Sequence, residues 1–410
     1  MSDFPVYDPY QRIFSMSMLA NRVMTDHDDR DVLVKKLSWI LSHYMTGAGT
    51  PDGDKKWAPS AVMADVPPCI GDWQLVWGPA VYPTASIKYA GLYDATNAAF
   101  IARCEQIDDS NSNRPAIYVV GVAATNPASM DDIFVQDGDV NRVVQWQKFD
   151  PSSDPSSLAV QLSGTGDDGF PYISAATAHG LHDVWTKLVA PNWAPGAGQT
   201  IVQALASLDL SRDANGSMLV FAGHSLAAAL TPMMALYAVE RLEEISSRFG
   251  KGIYAYPTAG ATPGNQAIVT RYGEKLAPAN PLGGSGTGYQ LLNARIWNSL
   301  DVVPHAWALT QHADYDGNQS PMMPSIAGLY KKDPTDPDPV GVDAIVNLAM
   351  NRAQASGMAY WTLPGSMLKG TATSHPDSLI GFVPEMLHQH IAAYLEGLVL
   401  TVGIPKIPGD

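Results

Sequence analysis

The chain has 410 residues, 46% of them hydrophobic and 16% charged, which is ample apolar material for a packed core and excludes a disordered tail or a fibrous repeat. Lys and Arg number 25 against 40 Asp and Glu, a formal net charge of −15 with no concentrated basic patch, so the electrostatic footprint of a nucleic-acid binder is missing. Its two cysteines, Cys69 and Cys104, can pair only with each other and cannot alone complete a four-ligand zinc site.

At the amino terminus Asp3 and Pro5 stand where a secretory leader carries basic residues, and Gln11, Arg12 and Ser15 interrupt the apolar positions, so no signal peptide is read there. The compartment is left open between the cytoplasm and secretion with a leader removed. No apolar run reaches the roughly 18 residues of a membrane span. Val32 to Met45 spaces Leu33, Leu37, Ile40, Leu41 and Tyr44 as a buried-face helix, and a second helix is expected near Ser86 to Ile107, which would make residues 1–105 a helical flank. The period then changes. Pro115 to Val122 is a short, nearly continuous apolar run, as a parallel strand buried on both faces requires. The stretch from Asn126 to Tyr172 is rich in Asp, Ser, Gly and Pro with an apolar island at Val140 to Phe149, and is too long for a passive connection.

Helices are expected at His179 to Leu188 and Gln199 to Leu208, followed by a strand at Ser217 to Ala222 and a helix running through Arg241. Strands at Gly252 to Pro257 and Gln290 to Asn298, an insertion over 307–381, and a final helix from Pro384 to Val399 complete the chain. Strands alternating with helices predict an α/β fold. No internal repeat is present, and the Asp/Pro alternation from Asp333 to Pro339 reads as a stiff surface loop.

Chemistry concentrates where the strand ending at Ala222 meets the next helix, in Gly223-His224-Ser225-Leu226-Ala227. This is a G-x-S-x-small string in the strand–turn–helix context of a nucleophile elbow, where small neighbours permit a sharp turn and the helix amides behind the serine can hold an oxyanion. Ala227 stands where the motif usually has its second glycine. The run, with Leu230-Thr231-Pro232 behind it, resembles the elbow of class 3 lipases, the fungal-lipase-like branch of the α/β-hydrolases.

That resemblance implies one α/β-hydrolase domain, with a mostly parallel central sheet flanked by helices, and a catalytic order Ser, Asp, His along the chain. Ser225 would be the nucleophile. Asp301, in Ser299-Leu300-Asp301-Val302-Val303-Pro304 after an apolar strand, matches the family's strand-end acid. The base would come from Leu387-His388-Gln389-His390-Ile391. Residues two apart on a helix point about 200° away from each other, so only one histidine can face Ser225, and His390 is preferred to His388 because Ile391, Tyr394 and Leu395 follow it in the family's manner. Leu226 would supply one oxyanion N–H and Thr125 the second, although Ala123 and Ala124 replace the family's Arg-Gly before that threonine. His179-Gly180-Leu181 is similar to the family's His-Gly-Phe and reads as packing.

The same resemblance implies hydrolysis of carboxylic esters, most simply by a lipase acting on acylglycerols. The alternatives are a short-chain carboxylesterase, an acyltransferase on the same residues, and a non-catalytic binding protein with a hydrolase fold. A lid is expected over 128–170, with Met130, Ile133, Phe134, Val135, Val140, Val143, Val144 and Trp146 as apolar surface, and a cap over 307–381, with Met322, Met323, Ile326, Leu329 and Tyr330. Either segment could instead complete the core. The expected partners are an ester or lipid substrate and, transiently, a lipid interface. No cofactor and no metal is assigned, since His179-x-x-His182 lacks the spacing and glutamate of a metallohydrolase; Asp314-Tyr315-Asp316-Gly317-Asn318 is a weak calcium candidate without the later ligands.

Overall fold

The computed structural model describes residues 7–24, 26–46, 70–85, 92–108, 111–124, 139–163 and 169–398. Ten strands are described: β1 His27–Asp28, β2 Gln74–Ala85, β3 Tyr93–Cys104, β4 Ala116–Ala124, β5 Val143–Gln145, β6 Tyr172–Ser174, β7 Ser217–His224, β8 Ile253–Thr258, β9 Arg295–Asn298 and β10 Gly365–Leu368. The helices are α1 Pro9–Ala20, α2 Arg30–Thr46, α3 Ala175–Thr186, α4 Ile201–Ser207, α5 Ala227–Arg241, α6 Glu243–Ser246, α7 Gln266–Lys275, α8 Val342–Ala355, α9 Leu379–Leu387 and α10 Ala393–Leu398. Strands β4, β7, β8, β9 and β10 run parallel in that order, β3 and β2 extend the sheet antiparallel beyond β4, and β5 pairs with β6 in a separate ribbon.

The period-2 alternation of each central strand divides its side chains between two cores. Tyr118, Val120 and Val122 of β4 and Leu219 and Phe221 of β7 pack beneath α3, α4, α5 and α7, whereas Ile117 and Val119, with Met218 and Val220, pack beneath α1, α2 and α10. Both faces of the sheet are therefore covered, which is why these strands read as unbroken apolar runs.

Where a helix is expected near Ser86 to Ile107, residues 86–91 lie outside the described residues and residues 93–104 form strand β3. Its alanines favour a helix locally, but β3 lies between β2 and β4 and is buried on both faces, and a short apolar run does not distinguish the two states by period alone. The small side chains serve packing: Phe100 lies over Gly121 of β4, where a Cβ would come within 2.6 Å of its ring. The helix expected at Val32 to Met45 is α2, but with β2 and β3 beside it the described part of residues 1–105 is mixed helix and strand, not the helical flank expected.

The insertion expected over 307–381 joins the rest of the fold in two places. Residues 307–381 supply α8 and, together with Val140, Tyr172, Val302 and Phe382 from outside the segment, a third core around Met323, Ile326 and Tyr330, and they also return β10 to the edge of the central sheet. There Gly365 and Met367 turn their N–H groups away from β9. Asp314 Oδ1 accepts the first at 3.1 Å and Asp316 Oδ2 the second at 2.6 Å. Asp314 also accepts from Trp297 Nε1 at 2.8 Å beside the buried Arg295. The Asp-rich turn thus spends its carboxylates on N–H donors and a guanidinium. Val140, Val143, Val144 and Trp146, expected on a lid, are buried as core; Arg241 of α5 donates to the carbonyls of Trp146 and Phe149 and holds this segment down. Met323, Ile326 and Tyr330 are likewise buried. The remaining lid residues Met130 to Val135 lie outside the described residues, as do Thr125 and Cys69; Cys104 is buried in β3.

Candidate active site

At its carboxyl end β7 turns sharply into α5, and Ser225 sits at the turn with φ 64°, a left-handed conformation that strains a residue with a side chain. The neighbouring contacts over-determine it. A Cβ on Gly223 would lie 2.8 Å from the Ala227 carbonyl oxygen, and one on Gly260, just past β8, would lie 2.9 Å from Ala228 Cβ. The first turn of α5 therefore rests directly on two strand ends, which only glycine facing alanine permits. Ser225 N–H donates to the Thr258 carbonyl at 3.0 Å, tying the elbow to β8. Leu226 precedes α5, where helix N–H groups lack intrahelical acceptors and the dipole favours negative charge. Val122 of β4 pairs with Gly223 of β7, so β4 ends alongside the elbow.

Gly180 of α3 makes room for Leu230 of α5, whose Cδ2 would lie 2.8 Å from an added Cβ. That is the packing role read for the His-Gly-Leu segment.

Asp301 and His390 converge on Ser225. His390 Nε2 lies 2.8 Å from Ser225 Oγ, and His390 Nδ1 lies 2.9 Å from both oxygens of Asp301. A carboxylate only accepts, so Nδ1 carries the proton and Nε2 presents its lone pair to the serine hydroxyl. Asp301 is fully buried and held by two further donors, the Val303 N–H at 3.0 Å and the Tyr394 hydroxyl at 2.9 Å. Tyr394 in turn accepts from the Asn298 N–H at 2.8 Å. His305 Nδ1 donates to the Asp301 carbonyl at 2.7 Å, and burial pulls this imidazole down to about 4, so it is neutral.

His388 is half-buried and makes none of these contacts. The helix that carries both histidines widens to a π-turn over His388–Ala392. Such single widened turns occur frequently at functional sites. From the elbow, His224 reaches across: its Nε2 donates to the His390 carbonyl at 2.9 Å, and its Nδ1 lies 3.0 Å from Thr258 Oγ1. The carbonyl can only accept, which fixes the tautomer and makes the Thr258 hydroxyl the donor to Nδ1. Burial, reinforced by the neighbouring His390, holds His224 well below the ordinary histidine range and keeps it neutral.

Sequence reading placed Ser225, Asp301 and His390 together, and the structure does bring them together. Nothing in the sequence singles out His224 or Thr258, whose contacts cross between segments; Tyr394 stands out there only as the aromatic that follows His390. Among the described residues no cluster of three or more His, Cys, Asp or Glu could hold a metal ion, and no helix is long and apolar enough to cross a membrane.

No protein-family model matches the sequence, and no curated protein matches it. Solved structures do. The chain is similar to the crystal structure of M37 lipase, with 20% identity and a TM-score of 0.66 over 97% of this chain and 96% of that one. Looser matches include the Rhizomucor miehei lipase in its propeptide complex, at 15% identity and TM-score 0.36 over 74% of this chain and 64% of that one. Lipase II from Rhizopus niveus matches at 12% identity and TM-score 0.34, over 67% of this chain and 73% of that one. The chain has an α/β-hydrolase fold, shared with that M37 structure.

Proposed function

We propose that this chain, folded as a lipase-type α/β-hydrolase, is a serine hydrolase of carboxylic esters, and that its substrates are acylglycerols. The observation that carries the reading is the unbroken hydrogen-bond line from Ser225 Oγ through the His390 ring to Asp301, at a strained turn in front of a helix N-terminus. His390 Nε2 takes the Ser225 proton as Oγ attacks the ester carbonyl carbon. Asp301 holds the ring in the required tautomer and stabilises the imidazolium that forms. The tetrahedral oxygen gains negative charge beside the Leu226 N–H, and Thr125, which follows the last described residue of β4, would give the second donor. His390 then returns its proton to the departing alkoxide. A water, activated by the same imidazole, attacks the acyl-enzyme carbonyl and releases the acid with Ser225 regenerated.

Acylglycerols are favoured over short esters by the likeness to M37 lipase across nearly the whole of both chains. The test is hydrolysis of p-nitrophenyl esters from two to sixteen carbons, with and without emulsified triglyceride, by the purified protein and its Ser225→Ala variant. Wild-type turnover that disappears in the variant and rises with chain length and emulsion is the expected result. Full activity in Ser225→Ala would sink the serine mechanism; activity on acetyl and butyryl esters alone would move the substrate class to short-chain esters.

A further inference from the structure

The π-turn that carries His390 is fastened to the sheet by two side-chain amides with no part in the chemistry above. Asn298, the last residue of β9, is buried, and Gln389 is completely buried. Asn298 Nδ2 donates to the backbone carbonyl of Gln389 at 2.9 Å and to its Oε1 at 2.8 Å, while Asn298 Oδ1 accepts from the Leu300 N–H at 3.1 Å. Gln389 Nε2 donates to the Thr371 carbonyl and to Glu385 Oε1, both at 2.8 Å. Every polar atom of both amides is engaged. Their orientation is forced, because reversing Asn298 would set its oxygen against two other oxygens.

The network ends on Glu385, a buried carboxylate with no cation beside it among these contacts. It accepts from the Thr373 N–H at 2.9 Å, the Thr373 hydroxyl at 2.5 Å and the Ser374 hydroxyl at 2.7 Å, besides Gln389. The segment Thr371 to Ser374 is thereby tied to α9, and α9 to the strand end that leads into Asp301.

Taking the triad reading as its premise, we propose that Asn298 and Gln389 are positioning residues: their amide pair sets the spacing between the loop that presents Asp301 and the turn that presents His390. Asn298 lies just before Asp301 in the chain, its carbonyl accepting from the Asp301 N–H at 3.0 Å, and Gln389 lies immediately before His390; their side chains touch each other without touching the Asp301 carboxylate or the His390 ring. A widened turn interrupts the regular i→i−4 ladder, and side-chain donors can take its carbonyls. Here the Gln389 carbonyl is taken by Asn298 and the His390 carbonyl by His224, so the turn has one arrangement. A displacement of about 1 Å at a catalytic base costs on the order of a hundredfold in rate.

The experiment compares wild type with Asn298→Ala, Gln389→Met, the double variant, Asn298→Ser and Ser225→Ala. Reactive serines are counted with a p-nitrophenyl phosphonate, and kcat per counted serine and KM are measured on one p-nitrophenyl ester well below the unfolding temperature. The expected result is a ten- to hundredfold drop in kcat per reactive serine with KM within about twofold. The double variant should lose less than the product of the two single losses, because both remove the Asn298–Gln389 side-chain contact. Asn298→Ser, which keeps one donor, should recover part of the rate. Fewer reactive serines with unchanged kcat per serine would mean that the amides only support the fold, and would overturn the proposal. The premise fails separately: turnover surviving in Ser225→Ala removes the triad reading itself.

Discussion

The two halves of the site are held by different physics. On the elbow side, Ser225 is fixed by contact: Gly223 against the Ala227 carbonyl, Gly260 against Ala228, and a backbone forced to positive φ. On the base side Gly370 also packs closely, a Cβ there running into Asn298 Oδ1, but that contact bears on the amide network and not on His390 itself. His390 is fixed by directed bonds that converge on a widened turn from β7, β9 and the segment before α9. Steric fixation is short-ranged and fails abruptly when volume is added, whereas a hydrogen-bond network fails gradually and one member at a time. The nucleophile and its base should therefore respond differently to substitution.

The largest effect is expected at their junction. Asp301→Asn keeps the shape but offers an N–H to His390 in place of an acceptor, favouring the wrong tautomer, and kcat should fall by about 10⁴ while the fold survives; near-wild-type kcat would mean that Asp301 is not the orienting acid. Next comes the steric half: Gly223→Val drives methyl groups into the Ala227 carbonyl and should cost at least about 1–3 kcal/mol with loss of activity, read as a lower Tm and the disappearance of phosphonate labelling. On the polar half, Tyr394→Phe removes one donor from Asp301 and the acceptor of the Asn298 N–H. We expect kcat down by about tenfold and stability down by about 1–3 kcal/mol, with labelling retained. If Tyr394→Phe abolished labelling as Gly223→Val does, the contrast between the two halves would not hold.

The smallest effect is one of pH. Burial alone would raise the Glu385 pKa, but the bonds from Thr373, Gln389 and Ser374 outweigh it and bring the carboxyl down to about 2 from an ordinary 4.5. A depressed pKa contributes stability that is complete above the unfolded value and is lost as pH falls toward the folded one. The Tm difference between wild type and Glu385→Gln should therefore be greatest above about pH 4.5 and shrink between there and about pH 2. A difference that stayed constant through that window would show that the carboxylate is not held in this way.

The same contrast governs what could be read from the sequence. The elbow is contiguous: strand, glycine, serine, alanine and helix occupy one short stretch, and sterics acting between near neighbours leave a local signature. Asp301 and His390 were legible because each has a recognisable place after a strand or within the last helix. Asn298, Gln389, Glu385, His224 and Thr258 were not, because their roles arise from pairings across long stretches of chain that no local pattern encodes. The misreading of β3 has a related cause. Ala95, Ala98, Ala99 and Ala102 have helical propensity, and their fitness for a strand depends on neighbours such as Gly121 that arrive later in the chain.

The Asp-rich turn at the far edge of the sheet has one more consequence. Strand β10 would otherwise offer its Gly365 and Met367 amides to any passing strand, the usual beginning of intermolecular β-pairing. Asp314 and Asp316 occupy those amides and meet an incoming peptide carbonyl with negative charge. That guard depends on ionisation. Burial raises the pKa of Asp314, whereas the bonds to Met367 and Asn318 lower that of Asp316, so acid neutralises the inner carboxylate before the outer one.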